Sequence, residues 1–422
     1  MNNKIIKLSR NTHNAPQNTI HSQTVVFSHY NNISAQLPID PTTNKIVSTD
    51  IEEQINQCLS NLESIIKSIG HAKEDIIKIN IFLTNILDID AIDDIYANFF
   101  QDYYPTRMVI AVEALPIDGA LVQIDAVISN GEGTHPQQPC QLIKMTRNTD
   151  NAPKNALSTQ TVAFSHYNNI TAQLPINPKT GLIISDNISE QTEQCLNNIK
   201  AILESINVPL DDIVKINIHL KNLKDIDAVN EAYSTFFPDS AIARSVAYVP
   251  AQTVTIASAL PMNALIQIDA VVSHGDGTPP QAVEDRHGIV IRASNTDNAP
   301  QNSMSTQTVA FSHYNHISAQ LPINPTNSEI SIGNIEEQAK QCLQNIKAIV
   351  ESINHTMDDI VKINIQLTNV ADINIVDDVY VQFFNNDLPA RTVIGVSAIP
   401  MNSLIQIEAV VSNAEGTPLI KH

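Results

Sequence analysis

His29, His166 and His313 recur in one context, FSHYN, at three points along the chain. An imidazole can act as a base or a metal ligand near neutral pH. Each of these three falls in a turn-prone segment with no second ligand at metal-site spacing, so a structural role is expected. Asp93-Asp94 and Asp377-Asp378 have the residue types of an acid/base pair. On amphipathic helices such pairs read as solvated faces. Cys58, Cys195 and Cys342 recur at one repeated position each, and only Cys140 stands apart. One cysteine per unit cannot staple that unit, so reduced core thiols and a cytoplasmic protein are expected. With 11 glycines in 422 residues there is no Walker or dinucleotide glycine motif. No metal and no organic cofactor is implied.

Longer repetition explains the recurring residues. NAPQNTIHSQTVVFSHYNNISAQLPIDP begins at Asn14, and close copies begin at Asn151 and Asn298. DIIKINIFLTN from Asp75 returns from Asp212 and Asp359. The copies lie 137 and 147 residues apart. Solenoid repeats of roughly 20–50 residues cannot bury a core singly, but units of this length can. Three foldable units are expected, over residues 1–137, 138–283 and 284–422. The tails SNGEGTHPQQP (from Ser129) and SHGDGTPPQAVEDRHG (from Ser273) read as Gly/Pro-rich linkers.

Composition narrows the function classes. Apolar residues make up 43% of the chain, an ordinary globular value. No run approaches the roughly 18 apolar residues of a membrane span, and the first residues lack the apolar stretch of a secretory signal. A net charge of −20, with no basic patch to offset it, disfavours a nucleic-acid partner. No membrane partner is expected either.

Each unit opens with a short β-prone run (Lys4 to Ser9 in the first copy), followed by a hairpin pair, QTVVFS and NISAQL, with HYNN as the turn. Ile51, Ile55, Cys58, Leu59, Leu62, Ile65, Ile66 and Ile69 then recur at helical spacing, with Asp50 to cap the start and Gly70 to end it. Asp75 to Thr84 alternates, with Ile77, Ile79, Ile81 and Leu83 on one face. A second helix over Asp90 to Phe100 and strands over Met108 to Ala114 and Leu121 to Ile128 complete the unit. The order β-β-β-α-β-α-β-β describes an α+β unit with both helices on one face of a mixed sheet.

The succession NAP, Ser-Gln-Thr-Val, S-A-Q-L-P-I-[DN]-P, D-I-[IV]-K-I-N, Y-x-x-F-F, P-[AT]-R and A-[LI]-P ending in Q-I-[DE]-A resembles the YjgF/Rid family in all three repeats. This is the family of reactive enamine/imine deaminases, also known as L-PSP endoribonucleases. The resemblance implies chorismate-mutase-like domains that form a trimer, with sheets lining a central barrel and ligand clefts between neighbours. Three tandem copies then imply an intramolecular pseudo-trimer, in which a single chain closes the ring.

In that family the arginine of P-A-R holds the substrate carboxylate, a task suited to a planar fork. Here it falls on Arg107 and Arg391. The second copy is eight residues longer between Phe237 and Leu260, and strand register counted back from Ala259 puts Gln252 at the arginine position. An alternative alignment puts Arg244 there. The family glutamate that holds the attacking water corresponds to Gln123, Gln267 and Gln406, while a carboxylate two residues on remains as Asp125, Asp269 and Glu408. The family serine is Ser34, Thr171 and Ser318, and its asparagine ahead of Y-x-x-F-F is Asn230, with Asp93 and Asp377 in the other copies. The family tyrosine is replaced by His21, Ser158 and Ser305.

The resemblance implies a hydrolase that converts 2-iminopropanoate- or 2-iminobutanoate-type compounds to 2-oxo acids and ammonia. In it Arg107 and Arg391 are catalytic, and Ser34, Thr171, Ser318, Gln123, Gln267, Gln406, Gln252 and Asn230 bind substrate. A non-catalytic binder of small carboxylates or a scaffold is the alternative, favoured by the glutamines. A ribonuclease or translation inhibitor comes third and is opposed by the charge. The expected partner is a small imino-acid or carboxylate ligand, bound by a monomeric chain.

Overall fold

The computed structural model describes residues 7–129, 144–237, 248–273, 278, 290–331, 333–385 and 388–413. Cys140, Arg244, nearly all of both linkers, and the first residues of the three opening strands lie outside the described residues.

In the first repeat, strands β1 (Leu8–Arg10), β2 (Thr24–Phe27) and β3 (Tyr30–Gln36) are followed by a two-stranded ribbon, β4 (Ile39–Asp40) and β5 (Lys45–Ile46). Helix α1 (Ile51–Ser68), strand β6 (Ile76–Leu83), helix α2 (Ile89–Phe100) and strands β7 (Thr106–Ala111) and β8 (Val122–Ser129) complete it. The main sheet runs β1-β2-β3-β8-β6-β7, with β6 and β7 parallel and the other pairs antiparallel. The other two repeats build six-stranded sheets of the same order.

Local sequence accounts for most boundaries. Asp50 accepts the Glu53 N–H at 3.0 Å and caps α1, whose apolar stripe from Ile55 to Ile66 is fully buried against the sheet. Gly70, at φ 82°, turns the chain out of the helix. The hairpin turn is not HYNN. Phe27 pairs with Tyr30, so the turn is Ser28-His29, and Tyr30, Asn31 and Asn32 belong to the next strand. Ser28, Ser165 and Ser312 take left-handed φ of 53°, 52° and 49° to make it.

Strand β6 departs from simple alternation. A bulge between Ile76 and Lys78 shifts its register against β8. Ile76, Ile79, Ile81 and Leu83 therefore join the helix-side core, while Ile77 turns to the opposite face beside Val25, Phe27 and Tyr30.

Each repeat keeps its own core between helices and sheet. Two further apolar clusters draw on all three repeats. The three sheets thus face a common centre and form an intramolecular pseudo-trimer. Tyr30, Tyr167 and Tyr314 meet there edge to face, with centroids 5.8–6.2 Å apart. Each hydroxyl donates to a carbonyl of the next repeat, at Phe164, Phe311 and Phe27 respectively. Aromatic edges and a satisfied phenol make this a specific closure rather than a generic apolar contact.

Beyond the tyrosines lies a central cavity of about 180 Å³. Lys78 reaches Asp269 at 2.6 Å, Lys215 reaches Glu408 at 2.5 Å, and Lys362 reaches Asp125 at 3.2 Å. Every pair joins one repeat to another, and all six groups are largely buried. Asn80, Asn217 and Asn364 each donate to the carboxylate of their own repeat at 2.7, 3.0 and 2.7 Å. The carboxylates retained two residues after the glutamines are therefore committed to the seams between repeats.

Candidate ligand clefts between repeats

Strand β7 is the edge of its own sheet and lies against β3's counterpart in the second repeat. The contact is made by the family serine position. Thr171 Oγ1 accepts the Arg107 N–H at 2.9 Å and donates to the Arg107 carbonyl at 2.9 Å. Ser34 Oγ accepts the Arg391 N–H at 2.8 Å, and Ser318 Oγ accepts the Gln252 N–H at 2.9 Å. Ser34 and Ser318 also donate to Ser22 and Thr306 carbonyls, at 2.6 and 2.5 Å. Three equivalent seams follow, each a candidate cleft: Arg107 with Thr171, Gln252 with Ser318, and Arg391 with Ser34. In each, the hydroxyl holds a neighbour's backbone, so it fixes the strand that carries the arginine-position side chain.

Strand register places Gln252 opposite Ile216, as Arg107 is opposite Ile79 and Arg391 opposite Ile363. The glutamines of the last strand sit in equivalent register, opposite Phe82, His219 and Gln366. Gln123 donates across the seam to the Val393 carbonyl at 3.2 Å, and Gln406 donates to the Val254 carbonyl at 3.0 Å. The Oε1 atoms of Gln123 and Gln267 are buried with no hydrogen-bond partner in the protein. Such acceptors are ready for a water or a ligand donor.

Both arginines are buried, at 6% and 5% exposure, yet they are not free. Arg107 Nη2 lies 2.5 Å from Asp93 Oδ1, and Arg391 Nη2 lies 2.5 Å from Asp377 Oδ1. The guanidinium carbons stand 4.4 Å over the Tyr96 ring and 5.0 Å over the Tyr380 ring. Asp93 and Asp377 thus depart from the reading of both acidic pairs as solvated helix faces. Helical phase points the first residue of each pair at the arginine, and only Asp94 and Asp378 are exposed. The Nε atoms of both arginines remain buried and unpartnered. Burial raises the Asp377 carboxyl above its usual range, against the opposing pull of Arg391.

The second repeat places Asn230, Tyr233 and Gln252 at these positions, with the asparagine on its helix Ile226–Phe236. Gln252 faces the Tyr233 hydroxyl, but Gln252 Nε2 and that hydroxyl lack hydrogen-bond partners of good geometry. His21, at the replaced family tyrosine, is pushed down to about 3 by burial and then by Arg391 and Lys362. It is therefore neutral beside the arginine. The FSHYN histidines lie elsewhere: His29 is buried in the hairpin turn, and His313 Nδ1 lies 3.3 Å from the Asn413 carbonyl.

The family model described as endoribonuclease L-PSP matches residues 12–129, 149–274 and 296–413, well over half of the chain. The chain belongs to the endoribonuclease L-PSP family. A RutC family protein of Pyrococcus horikoshii is 38% identical over 124 residues, covering 29% of this chain and 92% of its own length. A 2-iminobutanoate/2-iminopropanoate deaminase of Dermatophagoides farinae is 35% identical over 106 residues, 25% of this chain and 83% of its own. The crystal structure of the Rid protein YyfA of Yersinia pestis aligns with 29% of this chain and 99% of its own at 37% identity, with a TM-score of 0.29.

Within this L-PSP chain, the sequence reading missed Lys78, Lys215 and Lys362 and the tyrosine triad. A signal existed in K-I-N, where a lysine and an asparagine share one face of a strand whose other face is core. No helix among the described residues is long and apolar enough to cross a membrane.

Proposed function

We propose that the inter-repeat clefts bind small imine or enamine compounds and that those of Arg107 and Arg391 hydrolyse them. The observation that carries this reading is the docking, at each of these seams, of the arginine-bearing edge strand of one repeat on a hydroxyl of the next, with buried acceptors at Gln123 and Gln267 left unpartnered. The similarity to proteins named 2-iminobutanoate/2-iminopropanoate deaminase supports the choice of chemistry.

In the proposed step, water adds to the imine carbon, the C–N bond breaks, and an oxo compound and ammonia leave. Both water protons end on the departing nitrogen. The glutamine amide orients the water but cannot take its proton as a carboxylate would. Catalysis then rests on positioning beside an already electrophilic carbon.

The test is semicarbazide competition against 2-iminobutanoate generated in situ. Faster formation of 2-oxobutanoate than in buffer, lost in Arg107→Ala/Arg391→Ala, supports the reading. No acceleration by the wild-type chain with either 2-iminobutanoate or its neutral amide refutes it. The second reading, a non-catalytic binder of small ligands, is favoured by one observation: the cleft carboxylates Asp93 and Asp377 are tied to the arginines. Nucleic-acid binding is opposed by the charge of −20.

A further inference from the structure

The three clefts differ in residue type but share a balance of charge. Where an arginine occupies the edge strand, an aspartate stands on the second helix, 2.5 Å away in both cases. Where the arginine is replaced by Gln252, the helix carries Asn230 instead. Arginine stands with aspartate and glutamine with asparagine, so each of the three position pairs sums to zero. A buried guanidinium must be compensated, and here its compensation is built into the fold. A fork that receives a ligand's carboxylate would instead need its donors free before binding.

We propose that Asp93 and Asp377, each held against one Nη2 of its arginine, act as built-in competitors, so that these clefts favour uncharged carbonyl or imine compounds over carboxylates. This rests on the placement of the ligand beside Arg107 and Arg391 proposed above. A carboxylate entering either cleft meets a second anion within reach of the same guanidinium. It must displace that anion or sit beside it, at a cost in like-charge repulsion. A neutral ligand brings no second negative charge beside the aspartate, so it can share the guanidinium, whose Nε–H has no partner in the protein, without that repulsion. Asp93 and Asp377 are in this sense specificity-determining residues, and the asparagine at 230 shows that the helix tolerates the neutral isostere.

Calorimetry with the full chain separates the possibilities, using 2-oxobutanoate and its neutral counterpart 2-oxobutanamide as non-hydrolysable probes. The wild type should bind the amide at least as tightly as the carboxylate. Asp93→Asn/Asp377→Asn should tighten 2-oxobutanoate by roughly tenfold or more, the scale of a freed charge-assisted fork, and leave 2-oxobutanamide within about threefold. Gln252→Arg repeats the test without removing an aspartate, because its new arginine stands beside Asn230. It should create a carboxylate site tighter than the native two. Equal 2-oxobutanoate affinity in wild type and Asp93→Asn/Asp377→Asn overturns the proposal, as does a Gln252→Arg site no tighter than the native ones. Tightening without any imine hydrolysis would leave the proposal standing and refute only the catalytic reading.

Discussion

Replacing Asp269 by Asn isolates the charge of one inter-repeat pair. Asp269 Oδ1 receives Lys78 at 2.6 Å and Asn217 at 3.0 Å, and its Oδ2 lies 3.1 Å from His219 Nε2. The asparagine keeps an oxygen for Asn217 and nearly the same volume, so little packing is lost. It strands the Lys78 ammonium, which is 8% exposed and has no other carboxylate in contact among the described residues. Leaving one half of a buried pair costs about 3–5 kcal/mol. A urea titration followed by circular dichroism should show that loss as a lower midpoint. Adding Lys78→Met removes the stranded charge and should restore at least half of it, since a buried pair replaced as a unit is close to neutral. A loss below about 1 kcal/mol in Asp269→Asn, or a double variant as unstable as the single, would refute the reasoning.

The same pair gives the direction of acid sensitivity. Burial pushes the Asp269 carboxyl upward, but Lys78 and His219 outweigh it and hold the group well below the usual carboxylate range. A folded pKa below the unfolded one stabilises the protein above the unfolded value, about 3.9. That contribution is lost as pH falls through the folded value. Wild type should therefore lose stability progressively below about pH 4, and Asp269→Asn should show a shallower loss over that window.

Light scattering should return a mass near 46.3 kDa, the mass of one chain closed on itself; a species three times heavier would refute the intramolecular ring. Gly395 exchanges backbone hydrogen bonds with Glu113 and Ala114 of the first repeat, and a Cβ there would stand 2.7 Å from Val370 Cγ1 and 3.0 Å from the Ala114 carbonyl. Gly395→Ala should cost about 1–3 kcal/mol by overpacking, and an unchanged urea midpoint would refute that.

Periodicity and repetition made the units legible. The stripe from Ile55 to Ile66 and the Asp50 cap specify α1 with no tertiary information, and three copies of each motif fix the repeat count. What stayed hidden depends on closure of the ring. Lys78 and Asp269 are 191 residues apart, and no local pattern says which carboxylate a lysine will meet across a seam. The bulge at Ile76 hid the inward turn of Ile77, because alternation read from sequence assumes an unbroken register. The role of Asp93 is illegible in the sequence for a related reason. An acidic residue on a helix is ordinarily solvated, and only the parallel pairing of β6 with β7 carries Arg107 under the second helix.

Fusion of the repeats lets the three seams differ in residue type. In a ring of identical chains, a change from arginine to glutamine would strike every cleft at once. In one chain it falls at a single seam, beside Asn230, where the second helix carries the family asparagine and not an aspartate. The seams tolerate less freedom, because each joins a different pair of repeats and still needs a lysine opposite a carboxylate and a hydroxyl opposite a backbone N–H. Both requirements are met three times, with Asp or Glu and with Ser or Thr as the permitted exchanges. Each exchange preserves the donor or the charge that the seam uses. At the arginine positions the charge itself varies, and only the sum over the pair is preserved. Divergence of this kind leaves the ring closed while the side chains at its three arginine positions differ in charge.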